Sequence, residues 1–226
     1  MMPMKDSVRS RIQYYGRKLS ALVTGFRVNG TCNVPRRGGL IIACNHISEL
    51  DPPILGFAIP RTVAYMAKME LFTRRFSDFF LRKLNAFPVN RRGLDRDAIR
   101  TTLQLLRRNE AVVIFPEGTR SNDGRMLPVK NGISLLAVSA RVPVTPAFIW
   151  GTDHLKRAVS RTGDRFSVTF GPTISSSRIM QIKKRDGNRA VAEHVMSAIA
   201  KTGVGQGLYP RDWYTAEGKE DSVQER

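Results

Sequence analysis

The stretch Gly39-Leu40-Ile41-Ile42-Ala43-Cys44-Asn45-His46-Ile47-Ser48-Glu49-Leu50-Asp51-Pro52-Pro53 decides the fold. Its first six residues form an apolar run of strand length. Its end, Asp51-Pro52-Pro53 followed by Ile54-Leu55-Gly56-Phe57-Ala58, reads as the start of a helix, with prolines where a missing N–H costs least. Between strand and helix stand His46 and Asp51. On a regular helix, at about 100° per residue, they would point roughly 140° apart, so they meet only if residues 47–50 make a turn. A strand, a turn carrying a histidine and a carboxylate, and a helix is how an α/β fold builds an oriented general base. The bland alternative is that Asp51 caps the helix and His46 is a satisfied loop residue.

The same alternation continues outward. Residues 26–30 look like a short strand and turn, and 35–39 like a loop. Strands are expected at 61–67, 87–89, 111–115, 142–150 and 165–170, the fourth of these interrupted by Pro143 and Pro146. Helical spacing appears over 69–84, 95–108, 132–141 and 189–201. Strands alternating with helices imply an α/β domain with a largely parallel central sheet flanked by helices. The expected division is an amphipathic helix over 1–28, one domain over 29–212, and a loose tail over 213–226. Gly203-Val204-Gly205-Gln206-Gly207 reads as a flexible turn, and His154 and His194 as surface or structural residues.

At 226 residues the chain is long enough for one substantial core. Its 37 Lys+Arg against 19 Asp+Glu give a formal net charge of +18, which favours an anionic partner such as phospholipid or nucleic acid. No recognisable nucleic-acid module accompanies the charge. Cys32 and Cys44 have neither disulfide nor metal-site spacing. No apolar run reaches the roughly 18 residues of a spanning helix, and no signal-peptide core is evident. In residues 1–28, Val8, Ile12, Tyr15, Leu19, Leu22, Val23 and Phe26 recur at helical spacing, amid six basic residues and one acidic. Such a helix either lies in an anionic membrane surface or packs on the domain. Residues 69–84, with Phe72, Phe76, Phe79 and Phe80 on one side, form a second basic amphipathic candidate.

A second chemical motif follows about seventy residues after the first. Another strand-like run, Ala111-Val112-Val113-Ile114-Phe115, ends in Pro116-Glu117-Gly118-Thr119-Arg120-Ser121. Gly118 permits positive φ and close approach of a ligand, and Arg120 offers a bidentate fork to phosphate. Glu117 can accept a hydrogen bond from a hydroxyl or orient Arg120. The alternative is a surface turn with an internal ion pair. Arg91, after another strand-like piece, could converge on the same anion, as strand ends do in α/β sheets. No Gly-x-Ser-x-Gly elbow or cysteine-nucleophile signature occurs, so a covalent acyl-enzyme is not favoured. Ser48 reads as a turn-stabilising hydroxyl rather than a triad member.

These residues resemble the glycerolipid acyltransferases of the 1-acylglycerol-3-phosphate acyltransferase type. Asn45 to Asp51 is similar to the family's first block, His-x4-Asp, and Phe115 to Ser121 to its third. Asn85 to Arg91 corresponds to the second, with Asn85 where a glycine is usual, and Val142 to Phe148 to the fourth. The resemblance implies that His46 is the general base and Asp51 orients it. It further implies that Arg91, Glu117, Gly118, Thr119 and Arg120 bind the acceptor's phosphate and glycerol, with Asn45, Lys130 and Gly132 in support. The implied reaction moves an acyl group from coenzyme A or acyl carrier protein to the 2-hydroxyl of lysophosphatidic acid, without metal or cofactor. Its implied setting is the cytoplasmic face of the membrane, peripheral or monotopic. Another lyso-lipid acceptor, such as a lyso-ornithine lipid, is the alternative within this chemistry. A non-catalytic binder of anionic membrane or nucleic acid is the alternative outside it.

Overall fold

The computed structural model describes residues 26–73, 85–89, 96–152 and 166–207. The expected N-terminal helix up to residue 25, most of the 69–84 segment, Arg91, His154 and the tail therefore lie outside the described residues. Strands are β1 (Arg27–Asn29), β2 (Leu40–Cys44), β3 (Val63–Lys68), β4 (Ala86–Val89), β5 (Ala111–Ile114), β6 (Val144–Trp150) and β7 (Ser167–Phe170). Helices are α1 (Asp51–Ala58), α2 (Arg96–Arg107), α3 (Gly132–Ala140) and α4 (Ser176–Val204). The strands form one sheet in the order β1-β7-β6-β2-β5-β3-β4. The pairs β6–β2, β2–β5, β5–β3 and β3–β4 are parallel. Among the described strands only β7 turns back, antiparallel on β6, carrying β1 with it. The sheet is therefore largely parallel, as its apolar strands predict.

The period of two along each strand divides the core into layers. Ile41 and Ala43 of β2, Val112 and Ile114 of β5, and Val144 and Phe148 of β6 face α2, α3 and α4. Leu40, Ile42 and Cys44, Ala111 and Val113, and Ala147 and Ile149 face α1 with Phe26, Val34 and Phe166. Both faces are covered, so the central strands read as continuous apolar runs rather than as alternations. Because β2, β5 and β6 are parallel neighbours, their C-terminal ends open on one edge of the sheet. That edge is where an α/β fold assembles its site.

Three local expectations are corrected. The last helix begins at Ser176 rather than 189. The Ser175 hydroxyl caps it by accepting the Arg178 N–H, and Gly187 (φ 86°) breaks it into two helical pieces. In the first piece only Ile179 and Ile182 are buried, too few to mark an apolar stripe. The supposed turn at 203–207 begins inside α4: Gly203 packs against Phe148, whose ring an added Cβ would approach to 2.7 Å. Residues 69–72 form a short 3-10 turn, not the start of an α-helix.

Candidate active site

The loop after β2 is clamped from both flanks. On one side, Asn45 donates through Nδ2 to the Ile149 carbonyl (3.0 Å) and accepts the Ile149 N–H at Oδ1 (2.8 Å), extending the β2–β6 pairing with a side chain. On the other, the His46 N–H donates to Glu117 Oε1 (2.9 Å), and the His46 carbonyl accepts the Ser121 N–H (2.8 Å). The backbone of His46 is thus fixed by the turn after β5. Its ring lies against Phe115 at a centroid distance of 4.0 Å and an interplanar angle of 20°.

Asp51, the first residue of α1, is fully buried and satisfied. Its Oδ2 lies 2.8 Å from His46 Nδ1 and accepts the N–H groups of Ile47 (2.8 Å) and Ser48 (2.8 Å). Its Oδ1 accepts the Thr152 hydroxyl at 2.5 Å. The Ser48 hydroxyl accepts the Leu50 N–H (3.2 Å), which steadies the turn that brings the histidine and aspartate together. With a carboxylate at Nδ1, that nitrogen carries the proton and Nε2 presents a lone pair. Among the described residues Nε2 has no hydrogen-bond partner, so it is the atom left for a substrate.

Glu117 departs from its expected pairing. It is 2% exposed, and its two oxygens accept the N–H groups of His46 and of Leu127 (2.7 Å). Arg120 pairs instead with Glu49 at 2.9 Å, both side chains largely in solvent. Burial pushes the Glu117 carboxyl up to about 7, against the two N–H donors and with help from the nearby Asp51 charge. The sign follows. The folded state holds this proton between about pH 4.5 and 7 while the unfolded state releases it, so this group's contribution to stability falls as pH rises through that window. Glu117→Gln is expected to flatten the dependence of Tm on pH between about 4.5 and 7, measured by thermal unfolding; an unchanged slope would assign it to another group. Burial also pushes the Cys44 thiol up, reinforced by the Asp51 and Glu117 charges, which disfavours a thiolate there.

Gly118 takes φ 70°, and an added Cβ would lie 2.8 Å from Lys130 Cδ. Lys130 is tied to the same turn by its N–H to the Pro116 carbonyl (2.9 Å). Thr119 and Gly132 are exposed, and Gly132 opens α3. The parallel sheet directs the end of β4 to the same edge, but Arg91 itself lies outside the described residues. Nothing in the sequence pattern singles out Thr152. The available signal is its place just beyond a strand that runs past the end of β2, from Ala147 opposite Cys44 on to Trp150.

The sequence pattern of the Acyltransferase family matches residues 25–150, which include both motif loops. The chain belongs to the acyltransferase family. This acyltransferase is 38% identical to a 1-acyl-sn-glycerol-3-phosphate acyltransferase of Bacillus subtilis over 77% of its own length and 86% of that protein. It is 32% identical to a protein of the same name from Streptococcus pneumoniae, over 71% of this chain and 59% of that one. Its structure resembles the crystal structure of a 1-acyl-sn-glycerophosphate (LPA) acyltransferase from Thermotoga maritima, with a TM-score of 0.70 and 25% identity, covering 92% of this chain and 86% of that one. No helix among the described residues of the acyltransferase is long and apolar enough to cross a membrane.

Proposed function

We propose that this acyltransferase moves a fatty acyl group from an acyl thioester, of coenzyme A or acyl carrier protein, to the free 2-hydroxyl of lysophosphatidic acid, giving phosphatidic acid. The observation that carries the reading is the 2.8 Å contact between His46 Nδ1 and the buried Asp51 carboxylate, which prepares Nε2 as a base. Nε2 takes the hydroxyl proton as the oxygen attacks the thioester carbonyl, and Asp51 stabilises the imidazolium that forms. The tetrahedral species then expels the thiolate. The imidazolium returns its proton to the sulfur, leaving His46 neutral. The substrate oxygen is the nucleophile throughout, so no acyl-enzyme is needed. The names and likeness of the relatives support the acceptor.

In this reading Arg120 and Arg91 receive the acceptor phosphate, beside the Gly118–Thr119 backbone. The Arg120–Glu49 pair is exposed, and such pairs are worth only about 0–1 kcal/mol, so a phosphate able to take a bidentate fork displaces Glu49 readily. Glu117 acts through the His46 backbone rather than on the acceptor. Lys130 and Gly132 shape the far side of the turn. The net charge of +18 draws the protein to anionic membrane, on whose cytoplasmic face a peripheral or monotopic enzyme meets its lipid.

The test is an acceptor panel in mixed micelles, with lysophosphatidic acid, a lyso-ornithine lipid and a monoacylglycerol against both donor types. Lysophosphatidic acid is expected to give the highest kcat/KM. Arg120→Ala is expected to raise its KM roughly 10-fold, the loss of a charge-assisted bond, while leaving the monoacylglycerol unaffected. Equal use of monoacylglycerol by the wild type would remove the phosphate-recognition reading.

A further inference from the structure

We infer that Thr152 is a positioning residue for acyl transfer, holding Asp51 in the plane from which it orients His46. The inference rests on the proposed role of the His46–Asp51 pair, and it concerns a residue just outside the stretch that matches the family pattern.

The argument begins with the two oxygens of Asp51. Oδ2 is occupied by its own loop, by the N–H groups of Ile47 and Ser48 and by His46 Nδ1. The carboxylate turns about its Cβ–Cγ bond, which moves both oxygens together, so a bond at Oδ1 adds a second hold on the rotation that those three contacts resist from one side. The one donor to Oδ1 among the described residues is the Thr152 hydroxyl at 2.5 Å. Thr152 is 1% exposed and Asp51 is fully buried, so water does not readily substitute for that donor. A bond from a hydroxyl to a buried carboxylate is charge-assisted, short and directional. Thr152 thus completes a chain running from hydroxyl to carboxylate to imidazole, in which the last atom faces the substrate.

The fold explains why this hydroxyl is there. β6 lies beside β2 in the sheet, and it grips the histidine loop twice. Ile149 pairs with both ends of the Asn45 amide, fixing the residue before His46. Gly151 then turns the chain at φ 79°, where an added Cβ would come 3.1 Å from the Phe166 backbone. Past this turn Thr152 reaches Asp51, 101 residues away in sequence. One strand therefore sets the position of both members of the pair, Asn45–His46 through Ile149 and Asp51 through Thr152. A hydroxyl whose only task was to satisfy itself could have used a carbonyl of its own turn.

Thr152→Val keeps the shape and removes the donor; Thr152→Ser keeps the donor and removes a methyl. The expected result is a 10- to 100-fold lower kcat in Thr152→Val with the KM of both donor and acceptor within about twofold of wild type, and kcat within about threefold in Thr152→Ser. Wild-type kcat in the valine variant, equal loss in the serine variant, or a KM that rises in step with the loss would each overturn the inference. If Thr152→Val does not fold, Thr152→Ala against Thr152→Ser gives the same contrast. A second readout needs no substrate: in protein labelled with 15N-histidine, the His46 Nδ1–H resonance is expected downfield and protected from exchange in wild type and Thr152→Ser. In Thr152→Val it is expected to shift upfield or exchange away. An unchanged resonance in Thr152→Val overturns the inference whatever the acceptor proves to be; failure of lysophosphatidic acid as acceptor, with the resonance behaving as expected, overturns only the proposed reaction.

Discussion

His46→Ala is expected to lower kcat by about 10²–10⁴-fold, the usual range for a positioned general base, while lysolipid binding to the protein stays within about twofold. The histidine is held entirely by contacts that do not involve substrate. Its backbone is fixed by Glu117 and Ser121, its ring by Phe115 and Asp51. Removing the ring deletes the base and leaves the backbone contacts, because both run through main-chain atoms that alanine retains. The turn proposed to bind the anion, with Arg120 and Gly118, belongs to the strand-end loop of β5 and does not depend on the imidazole. The measurement is steady-state thioester consumption alongside equilibrium binding of a fluorescent lysolipid. Loss of binding together with kcat would mean that His46 serves the fold of the loop rather than the reaction.

The second large effect is expected at Asp51. Asp51→Asn preserves volume and can preserve much of the geometry, since an amide oxygen facing the Ile47 and Ser48 N–H groups leaves an NH2 that can donate to the Thr152 hydroxyl. What it removes is the negative charge that stabilises the imidazolium, while the amide oxygen still accepts the Nδ1–H. A fall in kcat of about 10²–10⁴-fold is therefore expected with little change in KM. Stability should not fall in parallel. Asp51 is a fully buried charge, and a neutral amide is cheaper to desolvate, so Tm is expected to stay level or rise. Activity lost at unchanged or higher Tm marks a residue retained for chemistry. Unchanged activity in Asp51→Asn would show that the charge is not used.

Much of this site is legible from residue order because its central pair is local. His46 and Asp51 are five residues apart, the strand before them and the prolines after them force the turn between, and the structure closes that turn through Ser48 and Leu50. The apolar runs of β2, β5 and β6 likewise announce a sheet covered on both faces. The distant partners could not be read in this way. Glu117 and Arg120 stand three apart and suggest an ion pair, yet Arg120 finds Glu49 on the loop after β2, and Glu117 turns inward to two main-chain N–H groups. Which carboxylate meets which arginine depends on β2 lying beside β5, and strand order leaves no mark on local spacing. Thr152 is hidden for the same reason. A single hydroxyl after a strand has no periodicity, and its role exists only because β6 is the other neighbour of β2.

The most direct measurement is product formation by the purified protein. An acyl thioester of coenzyme A, or of acyl carrier protein, is supplied with lysophosphatidic acid in mixed micelles, and free thiol and phosphatidic acid are quantified together, the lipid by mass. The account predicts one thiol released per phosphatidic acid formed, no thiol release without the acceptor, and loss of both in His46→Ala. Thiol release that is indifferent to lysophosphatidic acid, or that yields free fatty acid in place of phosphatidic acid, would contradict it.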